Sequence, residues 1–78
     1  IAFELTIPAG SPAAGKTVME LAARPDFPKS AVFAALYREE GRVEAPRGSS
    51  VIDAGTTVLL VTQREDVHRA IVALTGGQ

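Results

Sequence analysis

The 78-residue chain has no cysteine and a single histidine. Without cysteine, disulfides and thiolate metal sites are excluded, and one histidine cannot build a histidine-rich metal cage. Positive charge is not in excess: eight basic and nine acidic residues leave a formal net charge of −1. Nothing in that balance attracts a phosphate backbone, so nucleic acid is not an expected partner. No apolar run approaches the roughly 20 residues of a membrane-spanning helix, and no signal-peptide layout is present. Internal repeats and low-complexity segments are also missing. A cysteine-free composition fits a reducing, cytoplasmic setting.

What remains is an ordinary folded composition, 46% hydrophobic, which argues against disorder. Residues 1–78 are long enough for one domain and no more. Such a domain buries only roughly 60–65% of its unfolded surface and needs extra support. With disulfides and metal cages excluded, a homodimer is the expected form of that support. The chain opens on Ile1 within a strand-like pattern and without methionine, and is expected to be a piece of a longer protein.

Residues 1–7 alternate, with Ile1, Phe3, Leu5 and Ile7 on one face and Ala2, Glu4 and Thr6 on the other. Period two predicts a strand wet on one side. Residues 8–15 are a proline- and glycine-rich loop. Thr17 followed by Glu20 predicts a capping box opening a helix, with Val18, Leu21 and Ala22 as its apolar stripe and Pro25 as its stop. Residues 31–38 are ambiguous. Their alanines and Ser30 suit a capped helix, whereas their length suits a strand buried on both faces. A turn at Glu39-Glu40-Gly41 and an alternating Arg42-Val43-Glu44-Ala45 favour a strand in a hairpin. After a second loop, Val51-Ile52 and a turn at Asp53-Ala54-Gly55, residues 57–62 read as a central strand. Thr62 and Glu65 predict a second capping box, Val67, Ala70, Ile71 and Leu74 a helical stripe, and Gly76-Gly77 its end. The fold class is α+β: a small sheet of about four to five strands, including an antiparallel hairpin, covered by two helices.

Gly10-Ser11-Pro12-Ala13-Ala14-Gly15-Lys16-Thr17 matches the phosphate-binding pattern G-x-x-x-x-G-K-T between a strand and a helix. In such loops backbone amides curl around phosphates, the lysine reaches the β and γ phosphates, and the threonine reaches magnesium. Three features oppose that chemistry here. The preceding strand alternates, where a doubly covered parallel strand would be continuously apolar. The most apolar strand ends in Thr62-Gln63-Arg64 and supplies no magnesium-binding aspartate. The chain also has room for only about two βαβ units of roughly 30 residues each. The motif is read as a turn, a solvated lysine and a helix cap. Nucleotide binding by residues 10–17 of a P-loop fragment stands as the alternative. Other candidates are weaker: His68 lies off the apolar stripe of its helix, and Glu39-Glu40 is a solvated turn rather than an acid–base pair. Arg24 and Arg47 occupy loops where a guanidinium can grip an anion. No catalytic constellation is found, and no enzymatic activity is expected.

Several segments together resemble the TrkA C-terminal, or RCK_C, domain. They are Ile7-Pro8, then Ala14-Gly15-Lys16-Thr17-Val18-Met19-Glu20-Leu21, then Val32-Phe33-Ala34-Ala35-Leu36-Tyr37-Arg38-Glu39 with Gly41. Ala45-Pro46-Arg47-Gly48 and Ala54-Gly55-Thr56-Thr57-Val58-Leu59-Leu60-Val61 follow, and the final helix completes the set. The resemblance covers nearly the whole chain and implies that residues 31–38 form a strand. It also implies a cytoplasmic, non-catalytic, dimeric regulatory domain of a potassium or other monovalent-cation transport protein. That protein would be an uptake subunit, a channel or an antiporter, with the domain following a Rossmann-like or membrane domain. Some members bind cyclic di-AMP at the dimer interface. By the same resemblance Val18, Arg24, Ser30, Ala31 and Pro46 would contact that ligand, Arg24 at a phosphate and Val18, Ala31 and Pro46 at the base. No other cofactor is implied. A purely structural dimerisation domain without ligand is the remaining reading.

Overall fold

The computed structural model describes residues 1–77. Strand β1 (Ala2–Thr6) forms as the alternation predicts, with Phe3 and Leu5 half-buried and Glu4 exposed. It pairs antiparallel with β6 (Thr57–Val61), Phe3 facing Leu60 and Leu5 facing Val58. On its other side β6 pairs antiparallel with β3 (Val32–Tyr37), which pairs in turn with the short β4 (Val43–Glu44). The order is therefore β1-β6-β3-β4, with β6 central as expected. A separate two-stranded ribbon joins β2 (Lys16–Thr17) to β5 (Val51–Ile52). Fold class and hairpin agree with the sequence reading, and the strands divide into sheets of four and two.

Helix α1 (Val18–Ala22) is short and α2 (Val67–Thr75) longer. At α1 the predicted capping box is present: the Thr17 amide donates to Glu20 Oε1 at 2.8 Å, and the Glu20 amide to Thr17 Oγ1 at 3.1 Å. Leu21 is buried and Val18 half-buried, but Ala22 is exposed and does not belong to the stripe. The second capping box does not form. A 3-10 turn, Arg64–Asp66, precedes α2, and neither Gln63 nor Asp66 caps with its side chain. Thr62 is instead buried, with its hydroxyl 2.6 Å from Ser30 Oγ. The stripe of α2 is as predicted, Ala70 and Leu74 being buried and Val67 and Ile71 half-buried. Gly76 ends the helix at φ 82°, its amide donating to the Val72 carbonyl.

The core lies between one face of the four-stranded sheet and the helices. Phe33, Leu36, Val58 and Leu60 meet Leu21, Ala70, Ala73 and Leu74, with Ile7, Phe27 and Ile52 closing the sides. Phe27 stacks on Phe33 with ring centroids 5.4 Å apart, a geometry that adds to the area both rings bury. Strand β3 is not buried on both faces: Val32 is 58% exposed. A bulge at Ala34 sets Phe33 opposite Leu60 and Ala35 opposite Leu59. The two inward residues of β3 are consequently three apart in sequence.

Candidate functional site

The corner at residues 11–17 has its backbone amides already bonded within the protein. Ser11 donates to the Pro8 carbonyl, Ala13 to Leu74, Ala14 to Ser11, Gly15 to Ile52 and Lys16 to Ala13. Thr17 donates to Glu20, Val18 to the Ser50 carbonyl and Met19 to Gly48. A phosphate cradle needs such donors turned outward and vacant. Gly10 and Gly15, at φ 78° and 85°, turn the chain where a side chain would strain it. The Thr17 hydroxyl is taken by the cap. The Thr17 amide, and then its hydroxyl, hold the Glu20 carboxyl below the usual carboxylate range. The geometry is that of a helix start.

The five residues singled out by resemblance fall in two groups. Val18 starts α1 beside the loop that follows β4, to which it is tied by the Val18–Ser50 and Met19–Gly48 bonds. Pro46, half-buried, lies in that loop. Arg24, Ser30 and Ala31 belong to the connection from α1 to β3, folded by two turns in which Phe27 donates to the Arg24 carbonyl and Ala31 to that of Pro28. Arg24 grips Asp26 with both prongs, Nε to Oδ1 at 3.0 Å and Nη2 to Oδ2 at 2.6 Å. Ser30 Oγ lies 2.7 Å from Asp66 Oδ2 and 2.6 Å from Thr62 Oγ1. Since an ionised carboxylate only accepts, Ser30 donates to Asp66 and receives the Thr62 proton. Its hydroxyl thus fastens the start of β3 to the start of α2. Ala31 packs half-buried against the core.

Arg38 plays a part that the sequence reading missed. Its side chain is only 10% exposed. Nε donates to Glu44 Oε1 at 3.0 Å, and Nη1 to the Val51 carbonyl at 2.8 Å and to Thr56 Oγ1 at 3.2 Å. One guanidinium thereby joins β3, β4, β5 and the turn before β6. The bond from Arg38 is the main cause holding the Glu44 carboxyl below its ordinary range. Because Glu44 turns inward to this clamp, Val43 turns outward, 62% exposed. That reverses the usual placement of apolar and polar residues in a hairpin. The available sequence signal was a charge in phase with inward Leu36, two residues earlier, and an acid on the partner strand.

Among the described residues no helix covers the other face of the four-stranded sheet. Val32, Ala35 and Tyr37 of β3, Thr57, Leu59 and Val61 of β6, Val43 of β4 and Ala2, Glu4 and Thr6 of β1 share it by register. Val32 and Val61 are 58% and 41% exposed. The face is thus apolar along β3, Leu59 and Val61, and polar at Glu4, Thr6 and Thr57.

The match to known proteins agrees with this arrangement. The family model of the TrkA-C domain covers residues 2–74. The chain belongs to the TrkA-C domain family. One TrkA-C relative is the Trk system potassium uptake protein TrkA homolog of Archaeoglobus fulgidus, 41% identical over 66 residues. The match takes in 85% of this chain but 14% of that protein, so the chain spans a small part of the relative's length. Among solved structures, the RCK_C domain dimer of S. agalactiae BusR in complex with c-di-AMP shares the TrkA-C fold with a TM-score of 0.76. It is 23% identical, and the superposition covers 94% of this chain and 93% of that one. No helix among the described residues is long and apolar enough to cross a membrane.

Proposed function

We propose that this TrkA-C domain is a non-catalytic, ligand-sensing module of a potassium or other monovalent-cation transport protein, working as a homodimer at the cytoplasmic face of the membrane. The observation that carries the reading is the bare valine-rich face of the β1-β6-β3-β4 sheet. Small domains are marginal alone, and pairing such faces removes apolar area from water at about 25 cal/mol per Å². Val18, Arg24, Ser30, Ala31 and Pro46 are the contacts we propose for the ligand, for which cyclic di-AMP is our candidate. Arg24 carries the fork a phosphate needs; both prongs now hold Asp26, so the phosphate would have to displace that carboxylate or take the remaining guanidinium hydrogens. Ser30 acts by fixing the start of β3, because both its hydrogen-bonding partners are internal. Ligand bound across two subunits would favour one dimer geometry, and the attached transporter would respond to that shift.

Calorimetry of the 78-residue chain with cyclic di-AMP tests the sensing half. Saturable heat at one ligand per two chains, lost in Arg24→Ala, is the expected result. No heat at high protein concentration, with the dimer intact, would leave a purely structural dimerisation domain. The P-loop alternative is disfavoured by the committed amides of residues 11–17. It predicts that Lys16→Ala abolishes ATP or GTP binding, whereas the regulatory reading predicts no such binding to abolish.

A further inference from the structure

A shallow, open groove of about 450 Å³ lies in the helical layer, on the opposite side of the sheet from the bare face. It is lined by Pro25 and Asp26 of the α1–β3 connection and by His68, Arg69, Val72 and Ala73 of α2. Its size falls in the range of small-molecule sites. Its chemistry is uneven in an informative way. Its lining combines a carboxylate at Asp26, a guanidinium at Arg69 and an imidazole at His68 with the apolar surface of Pro25, Val72 and Ala73. Asp26 is 49% exposed and Arg69 58%. Arg69 spends one nitrogen on Asp66 Oδ1, at 3.3 Å, which leaves the rest of its fork. Asp26 receives Arg24, but each carboxylate oxygen has a further lone pair.

We infer that this groove binds a small zwitterion with an apolar body, such as an apolar α-amino acid. The ammonium would lie at Asp26, the carboxylate at Arg69, and the side chain over Pro25, Val72 and Ala73. A simple anion would meet the Asp26 charge and a simple cation the Arg69 charge; a molecule carrying both signs satisfies both walls. Asp26 is also one hydrogen-bond step, and Arg69 two, from a residue of the other candidate site. Asp26 holds Arg24, and Arg69 holds Asp66, which accepts from Ser30. Occupancy of the groove is therefore transmitted to Arg24 and Ser30. The binding claim does not depend on cyclic di-AMP or on dimerisation through the sheet.

Amide chemical-shift titration of the 78-residue chain with L-leucine, N-acetyl-leucine and leucinamide tests the inference. Leucine should shift Asp26, His68, Arg69, Val72 and Ala73 along one isotherm, with Ser30 and Thr62 following it. Each blocked analogue should bind more weakly by roughly tenfold or more, the scale of one charge-assisted hydrogen bond. In Asp26→Asn the advantage of leucine over N-acetyl-leucine should vanish, and in Arg69→Gln its advantage over leucinamide. Equal binding of all three probes, shifts centred away from the groove, or indifference to both substitutions would overturn the site. Groove shifts that leave Ser30 and Thr62 unmoved would overturn the coupling.

Discussion

Every side chain of β6 from Val58 to Val61 is apolar, yet exposure alternates along it. Val58 and Leu60 are wholly buried, Leu59 is half-buried and Val61 is 41% exposed. The two faces of one sheet thus share a chemistry and differ in their cover. On the inner face helices and loops exclude water. On the outer face none of the described residues does so, and it is there that we propose a second surface. Burial inside the monomer sustains the fold; apolarity outside it is what the proposed association would use.

The largest effect should come from the covered face. Leu60→Ala should cost about 2–5 kcal/mol, against a total of about 4–12 kcal/mol for a chain of this length. Denaturant titration of the monomer should place the variant near or past the limit of folding. Arg38→Met comes next, because it leaves the Val51 carbonyl and Glu44 without their shared donor. The melting temperature should fall by several degrees at neutral pH. The Glu44 carboxyl is lowered in the folded state. Its contribution is therefore present above the unfolded carboxylate range and lost as pH falls through the folded value. Arg38→Met should remove that acid-side decline, which melting curves from pH 7 downward would reveal. Thr17→Ala should cost about 1 kcal/mol through the lost cap, read by the same denaturant titration. Val61→Ala should be the mildest in the monomer, within about 0.5 kcal/mol. A loss there as large as at Leu60 would erase the distinction between the faces.

Much of this architecture could be read from the residues, and the misses have physical causes. The alternation of residues 1–7, the Thr17–Glu20 box and the stripe of α2 are local signals, and each survived folding. Residues 31–38 needed their hairpin partner and the family resemblance to be read as a strand, because the bulge at Ala34 spaces inward Phe33 and Leu36 three apart, a helical interval in a strand. The Thr62–Glu65 pattern failed because Thr62 found a tertiary partner in Ser30 and the chain entered α2 through a 3-10 turn. The clamp at Arg38 and the groove beside α2 depend on segments far apart in sequence, and period counting does not bring those together. Val18, Arg24, Ser30, Ala31 and Pro46 came from family resemblance. The structure adds that Ser30 is internally bonded and that Arg24 is braced by Asp26.

Sedimentation of the chain beside Val61→Lys, with circular dichroism to confirm the fold, addresses the two faces most directly. A concentration-dependent dimer for the natural sequence and a folded monomer for the variant are predicted. A natural chain that stays monomeric at high concentration, or a dimer indifferent to a lysine on the bare face, would contradict the account.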